Sequence, residues 1–274
     1  MDKDTLIVTI SDMHSGSSVA LFPNHFIQFK DNNHTPTSKQ LAMYEHWVRC
    51  AEAVGKARKD KRLVIVHNGD AIEGDHHDSP QNISRDPRDH VAVHIELMNG
   101  FKKMVDYRRG DKLYYMSGTE THTGDFEDDC AAQLGAEQTP EGLYVYDILE
   151  LSINGRLLWW VHHGPTAGKG ANKGNSLRNF LRNIFFDCVT ENTNPPDVVI
   201  TGHTHRPFYV PYSQEYGNTW WVMHGIINPS WQMKTRYAYK IAPVEKNKIG
   251  LSYFQITKDG LISIPPEIPV MKSR

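Results

Sequence analysis

The chain has 274 residues, enough for one large α/β domain or nearly two average ones, and its 39% hydrophobic and 10% aromatic content is ordinary globular composition. Thirty Lys and Arg against 32 Asp and Glu give a formal charge of −2, which excludes a global positive field and tight non-specific binding to long nucleic acid; any such contact must be local. No apolar run approaches the roughly 20 residues needed to span a bilayer, the N-terminal residues do not read as a signal peptide, and Cys50, Cys130 and Cys188 are scattered singly. The expectation is a cytoplasmic chain with no membrane partner, no disulfide framework and no thiolate metal site.

In chain order, Leu6 to Ile10 is a β-branched run that predicts a strand buried on both faces and closed by Ser11-Asp12. From Ser38, the expected N-cap, Leu41, Tyr44, Trp47, Val48, Ala51 and Val54 follow the three-to-four spacing of one buried helix face. Leu63 to Val66 predicts a second strand, ending at Asn68-Gly69-Asp70. Asp86-Pro87 predicts the N-cap and first residue of a helix running toward Tyr107. Lys112 to Met116 predicts a third strand, ending at Ser117-Gly118. This alternation implies a parallel sheet covered by helices.

The second half changes character. Tyr144 to Ile153 and Arg156 to Val161, joined by Asn154-Gly155, read as a hairpin with a type I′ turn. A basic, Gly-rich loop over Gly164 to Gly174 leads into a helix near Asn175 to Val189, followed by strand-like stretches at 197–201, 219–223 and 250–256. With no internal repeat and no linker, residues 1–274 read as a single catalytic domain of α/β class on a mixed two-sheet core.

The unusual count is 15 histidines. Ten of them, at positions 14, 67, 76, 77, 122, 162, 163, 203, 205 and 224, lie in or beside five polar blocks at strand ends, so they are gathered rather than scattered. The blocks are Asp12-Met13-His14, Gly69-Asp70-Ala71-Ile72-Glu73-Gly74, Gly118-Thr119-Glu120-Thr121-His122, His162-His163-Gly164 and Gly202-His203-Thr204-His205-Arg206-Pro207. Open α/β sheets form their ligand crevices at the carboxyl ends of strands, so all five can face one cleft. If the segments are extended, Asp12 with His14 and His203 with His205 point the same way in pairs. Carboxylate and imidazole donors without thiolate suit Mn, Fe, Zn, Ni or Co, and more than four candidates suggest two ions, with Asp70 the best candidate to bridge them.

The ordered set D-x-H, G-D, G-x-x-x-H, H and G-H-x-H resembles the calcineurin-like metallophosphoesterases, over Asp12 to His205. The third block departs from the usual G-N-H-[DE] and is similar to the G-T-E-x-H form of phage and prophage members. The resemblance implies a four-layer αββα fold and a centre of two divalent metals, Mn first. Asp12, His14 and His205 would bind one ion, and His203 with His163, or alternatively His162, the other. Asp70 would bridge them, Glu120 or Thr119 would stand in for the missing Asn, and His122 would act on the phosphate or leaving oxygen. The activity implied is hydrolysis of a phosphate ester by metal-activated water.

The block Gly164 to Gly170 fails as a P-loop, because only three residues separate Gly164 from Gly168 and Gly170 follows Lys169. It survives as a basic border of the cleft, where Lys169, Lys173, Arg178 and Arg182, together with Arg206 and His77, are candidate substrate contacts. A phosphodiester, in a nucleotide or nucleic acid, is therefore the preferred substrate. A phosphomonoester or phosphoprotein is the runner-up, and a metal-binding interaction scaffold without turnover is the rival from another class. His67 and His224 read as ligand-orienting or packed residues, and histidines 25, 34, 46, 90 and 94 as surface or helix-face residues.

Overall fold

The computed structural model describes residues 3–74, 80–120, 125–168, 170–235, 248–264 and 270–272. In chain order the elements are β1 (Thr5–Ile10), the short pair β2 (Ile27–Gln28) and β3 (Asn33–His34), α1 (Ser38–Arg58), β4 (Arg62–Asn68), α2 (Pro87–Met104), β5 (Lys112–Met116) and α3 (Phe126–Gln133). There follow β6 (Val145–Tyr146), β7 (Leu149–Ile153), β8 (Arg156–Val161), α4 (Asn175–Thr190), β9 (Val198–Thr201), β10 (Phe208–Tyr216) and β11 (Thr219–Ile227). The chain closes with β12 (Lys248–Gly250), β13 (Ser252–Ile256), β14 (Ile262–Ser263) and β15 (Val270–Lys272).

Side-chain alternation along the strands sorts the core into three layers. In β1, Leu6, Val8 and Ile10 pack with Trp47 of α1 and with Leu97 and Phe101 of α2, while Ile7 faces the other way. Ile7, Val66, Trp160, Ile200 and Phe254 fill the space between two sheets. On the far side, Leu177, Leu181 and Phe185 of α4 pack on Val199, Val210 and Met223. The order is therefore helices, sheet, sheet, helix, the αββα arrangement. The first sheet runs β14-β13-β1-β4-β5-β6 and the second β10-β11-β9-β8-β7. Both are mixed: β1, β4 and β5 are parallel neighbours, as are β8, β9 and β11, with antiparallel β13 and β10 outside them.

Three local features differ from the sequence expectation, each for an identifiable reason. Thr37, not Ser38, caps α1, because its hydroxyl takes the Gln40 N–H while the Gln40 carboxamide takes the Thr37 N–H, closing a capping box. The stretch 144–153 divides: β6 joins the first sheet beside β5, and β7 joins the second. The Asn154-Gly155 turn that follows has positive φ at both residues, as type I′ requires. The strand β10 carries Pro211 and polar residues that mask its pattern; as the edge strand of its sheet it tolerates a residue without an N–H.

Of the histidines expected on the surface or a helix face, those at 46, 90 and 94 lie on the buried faces of α1 and α2. On the inner face of α2, His94 Nε2 lies 2.8 Å from the Tyr115 hydroxyl and the ring sits edge-on to His67, which stacks on Tyr115. Burial holds both imidazoles in the neutral form, pushing His94 down to about 3 and His67 well below its usual value. An unfolded chain accepts a proton on His94 near pH 6.5 that the folded chain refuses until about pH 3, so stability is lost as pH falls through that window. Urea unfolding at pH 6.5 and pH 5 tests this: His94→Gln is expected to lose about 2 kcal/mol less stability over that interval than the parent. Equal losses in the two chains would show that His94 is not the group responsible.

Candidate metal centre

Four strands from the two sheets end at the same edge of the molecule. Asp12 and His14 follow β1, Asp70 follows β4, His162 and His163 follow β8, and His203 and His205 follow β9. Backbone hydrogen bonds tie these ends together: Asp12 N donates to Gly69 O at 3.0 Å, His14 N to Asp70 O at 2.9 Å and Gly202 N to His162 O at 3.0 Å. Two glycines permit the close approach. A Cβ at Gly118 would collide with the Asp70 backbone and carboxylate, and one at Gly69, whose φ is +78°, would enter the His162 ring.

The local backbone is not extended. Asp12, His14, Asp70, His203 and His205 have φ of 53°, 44°, 53°, 63° and 53°, half of the ten non-glycine residues with positive φ among those described. Such a conformation costs on the order of 1 kcal/mol or more for a side chain with a Cβ and persists only where its surroundings impose it. The expectation that two-residue spacing along a strand pairs the donors is thus corrected. Left-handed curls bring Asp12 and His14 to one side while Met13 between them is buried in the core.

Asp70 is the hub. Its Oδ2 lies 3.2 Å from His162 Nε2, 3.7 Å from His14 Nε2 and 3.9 Å from His203 Nδ1, and its Oδ1 accepts from Thr119 N at 2.7 Å. Asp12 accepts from the Ser11 hydroxyl, from His203 N at 3.0 Å, and faces His205 Nε2 at 3.2 Å. Both carboxylates are buried. Burial alone would raise their pKa values, but the surrounding imidazoles outweigh it: His205 holds Asp12 below the carboxylate range, and His162, His203 and His14 hold Asp70 well below it.

The ring nitrogens facing away from Asp70 are fixed. His14 Nδ1 lies 3.0 Å from Glu73 Oε2, and His162 Nδ1 donates to the Asn68 carbonyl at 2.6 Å. The remaining nitrogen of each ring, Nε2, turns a lone pair toward an ionised carboxylate oxygen, a repulsive pairing unless a positive charge lies between. Protons supply that charge here: against burial, which lowers both, Glu73 raises His14 to about 9 and Asp70 raises His162 to about 9. A divalent cation supplies it as well, and the donor set fits one. Ligand atoms of Asp12, His14 and His205 lie within 4.8 Å of one another, as do those of Asp12, Asp70 and His162, and those of His162, His163 and His203. Imidazole and carboxylate without thiolate match Mn, Fe, Zn, Ni or Co.

Both histidines of the fourth block reach this centre. His162 is buried against Asp70, whereas His163 is exposed beside Thr119 and His203. In the third block, Thr119 Oγ1 is 3.4 Å from Asp70 Oδ2, 3.3 Å from His163 Nε2 and 3.5 Å from His203 Nδ1, while Glu120 is exposed. A cavity of about 500 Å³ opens here, lined by Thr119, Glu120, Asp147, Val161, His162 and His163 among others. Arg206 is half-buried directly after His205; Lys173 lies over the Phe208 ring at 5.0 Å and Arg182 over the Phe186 ring at 5.8 Å. His224 is remote from the cluster, beside the Tyr209 hydroxyl. His122, His76, His77 and Lys169 lie outside the described residues.

Sequence reading assigned no role to Glu73, three positions after Asp70. It accepts from Gln81 and Gln232 and orients His14. A carboxylate three residues after Asp70, in a Gly-flanked block, was the available signal. The Asn68 carbonyl, a backbone acceptor, left none.

Among solved structures the chain is similar to an NAD nucleotidase from Haemophilus influenzae, at 12% identity and a TM-score of 0.42, covering 98% of this chain and 50% of that one. It is also similar to a predicted phosphoesterase from Streptococcus pneumoniae, at 11% identity and a TM-score of 0.31 over 100% of both chains. A phosphatase from Mycoplasma pneumoniae is similar at 8% identity and a TM-score of 0.41, over 100% of this chain and 94% of that one. The chain spans half the length of the Haemophilus protein. No family model matches the sequence, and a comparison with curated proteins gives no match.

Proposed function

We propose that the chain hydrolyses phosphate esters at a centre of two divalent cations. The observation that carries this reading is the buried Asp70 carboxylate with His14, His162 and His203 nitrogens gathered around one oxygen. Asp12, His14 and His205 would form one ligand set and His162, His163 and His203 the other, and Asp70, which lies within 3.9 Å of His14 in the first and of His162 and His203 in the second, would serve both. When bound, the cations supply Lewis acidity: they lower the pKa of water and offset negative charge on the phosphoryl oxygens. Manganese is the metal we favour, on the oxygen and imidazole donors.

The protein's own groups do the rest. Glu73 and the Asn68 carbonyl hold the Nδ1 protons of His14 and His162, which leaves Nε2 of each ring to ligate. Thr119 fixes the Asp70 carboxylate through its N–H and turns its hydroxyl toward His163 and His203, and on these contacts we assign to it, rather than to Glu120, the role of the missing Asn. His122, three residues after Thr119 in the sequence, is the group we assign to the leaving oxygen, a general-acid role worth about 10²–10⁴ in rate.

A phosphodiester remains the preferred substrate, with Arg206, Lys169 and His77 as contacts beyond the scissile phosphate. A rival reading, a metal-binding scaffold without turnover, shares the same ligands.

Hydrolysis of bis-p-nitrophenyl phosphate and of p-nitrophenyl phosphate with added Mn²⁺ separates these readings. Faster cleavage of the diester is expected, faster cleavage of the monoester would reverse the substrate assignment, and neither from a metal-loaded chain would leave the scaffold. Asp70→Asn should lower kcat/KM by about 10²–10³-fold or more, the scale of removing one charge-stabilising group, and reduce bound metal below two per chain. Metal content by mass spectrometry divides the histidines: His203→Ala and His162→Ala are expected to lose metal, whereas His122→Ala keeps it and loses most turnover. Equal metal loss in all three would overturn this division of roles.

A further inference from the structure

The helix α3 presents Glu127, Cys130 and Ala131 to the interior, with Leu134 just beyond it on the same stripe. Three of these pack in the hydrophobic cluster between the helices and the first sheet. The fourth is a carboxylate with 2% of its surface exposed, at a position where an apolar side chain would serve packing without the cost of burying a charge. Its two oxygens are spent on two different loops. Oε1 accepts from Ala71 N at 2.7 Å, and Oε2 accepts from Gly118 N at 2.6 Å. Ala71 follows Asp70 directly, and Gly118 directly precedes Thr119, whose own N–H donates to Asp70 Oδ1 at 2.7 Å.

We propose that Glu127 is a positioning residue that clamps the Asp70 loop to the Thr119 loop and so sets the Asp70 carboxylate against its histidines. The proposal rests on the metal-centre reading above. Both bonded groups are backbone N–H donors, so the clamp needs two acceptors at one side chain, which a carboxylate provides in its ionised form; burial raises Glu127 to about 7, and the N–H bonds from Ala71 and Gly118 pull the other way, toward that form. A glutamine offers one acceptor and turns an NH₂ toward the second N–H; an aspartate is one methylene too short to keep both bonds. Charge-assisted bonds of this length are directional, so the two loops are held in register at neighbouring residues rather than merely tethered. The absence of a side chain at Gly118 serves the same contact, because a Cβ there would strike the Asp70 backbone and carboxylate.

The test uses the full-length chain and reads metal affinity as well as turnover. Mn²⁺ binding is followed by electron paramagnetic resonance without substrate, thermal unfolding is measured on the metal-free chain, and kcat and KM are measured at saturating Mn²⁺. Glu127→Gln, nearly isosteric, is expected to melt close to the parent. It should bind Mn²⁺ about 10–100-fold more weakly, the usual range for groups that hold a ligand in place, and at saturating metal kcat should fall while KM stays near the parent value. Parental Mn²⁺ affinity and kcat in a folded Glu127→Gln chain would overturn the proposal and leave Glu127 as a structural residue. Should that variant fail to fold, Glu127→Asp decides: it keeps the charge, and parental affinity there overturns the clamp while weakened affinity supports it. Because Mn²⁺ binding is read without substrate, a parent that binds metal but cleaves no ester defeats the phosphoesterase reading and leaves the clamp standing. A parent that binds no Mn²⁺ defeats both.

Discussion

The structure depends on one electrostatic constraint: the ends of four strands, two from each sheet, bring imidazole lone pairs and buried carboxylates to a single point. Around Asp70 Oδ2 three histidine nitrogens lie within 3.9 Å, and two of those rings have their opposite nitrogens committed to Glu73 and to the Asn68 carbonyl. Without positive charge such an assembly repels itself. Taking a carboxylate out of water costs several kcal/mol even after relaxation, and only close positive partners repay it. Protons on His14 and His162 meet the requirement, and so would cations, which must displace them. Binding and proton release are therefore linked at these two rings.

That constraint explains the backbone around it. Five side chains of the cluster stand on left-handed residues, an arrangement that would relax if the strands beneath could move. They cannot move cheaply. Ile10 of β1, Val66 of β4 and Ile200 of β9 are fully or almost fully buried, and each strand is paired on both edges within its sheet. Packing between the sheets thus holds strained loops in place at their upper edge. Donors carried on strand ends of a close-packed core are placed more closely than donors on free loops.

The same division decides what was legible in the sequence. Strands β1, β4 and β5 are continuous apolar runs with polar blocks directly after them, so both the elements and the residues at their ends could be read in order. Asp12, His14, Asp70, His203 and His205 stood out because short polar groups after buried strands have few other uses. What could not be read is conformation and second contact. Left-handed curls leave no mark on Asp or His in a sequence. That His162 joins His163 at the centre turns on the Asn68 carbonyl, a group every residue carries. Thr119 reaches Asp70 through its backbone N–H, which no side-chain pattern records, whereas the more conspicuous Glu120 is exposed. Burial of His90 and His94 escaped because imidazole is rarely assigned to a core until its partners are seen, Ser84 O for His90 and Tyr115 and Ser15 for His94. The strand β10 escaped because Pro211 and its polar neighbours break the alternation that an interior strand would show.

The formal charge of −2 also reads differently in three dimensions. A chain that attracts phosphate through Lys and Arg advertises it in composition, and this one does not. Two basic side chains expected from the sequence at the cleft border, Lys173 and Arg182, lie over aromatic rings, and the cavity beside His163 carries Glu120 and Asp147. On the proposed reading, anion attraction comes from elsewhere: two divalent cations would bring four positive charges to the carboxylates of Asp12 and Asp70, with Glu73 behind His14 and Glu127 behind the Asp70 loop, and so set a local positive field inside low-dielectric walls. Such a field is strong at contact and screened within about 8–10 Å at physiological salt. It would select the phosphate that enters the cleft without holding a long polyanion along the surface. The near-neutral total and a phosphate-binding centre are then two sides of one design, because the positive charge is recruited with the ions rather than encoded in the chain.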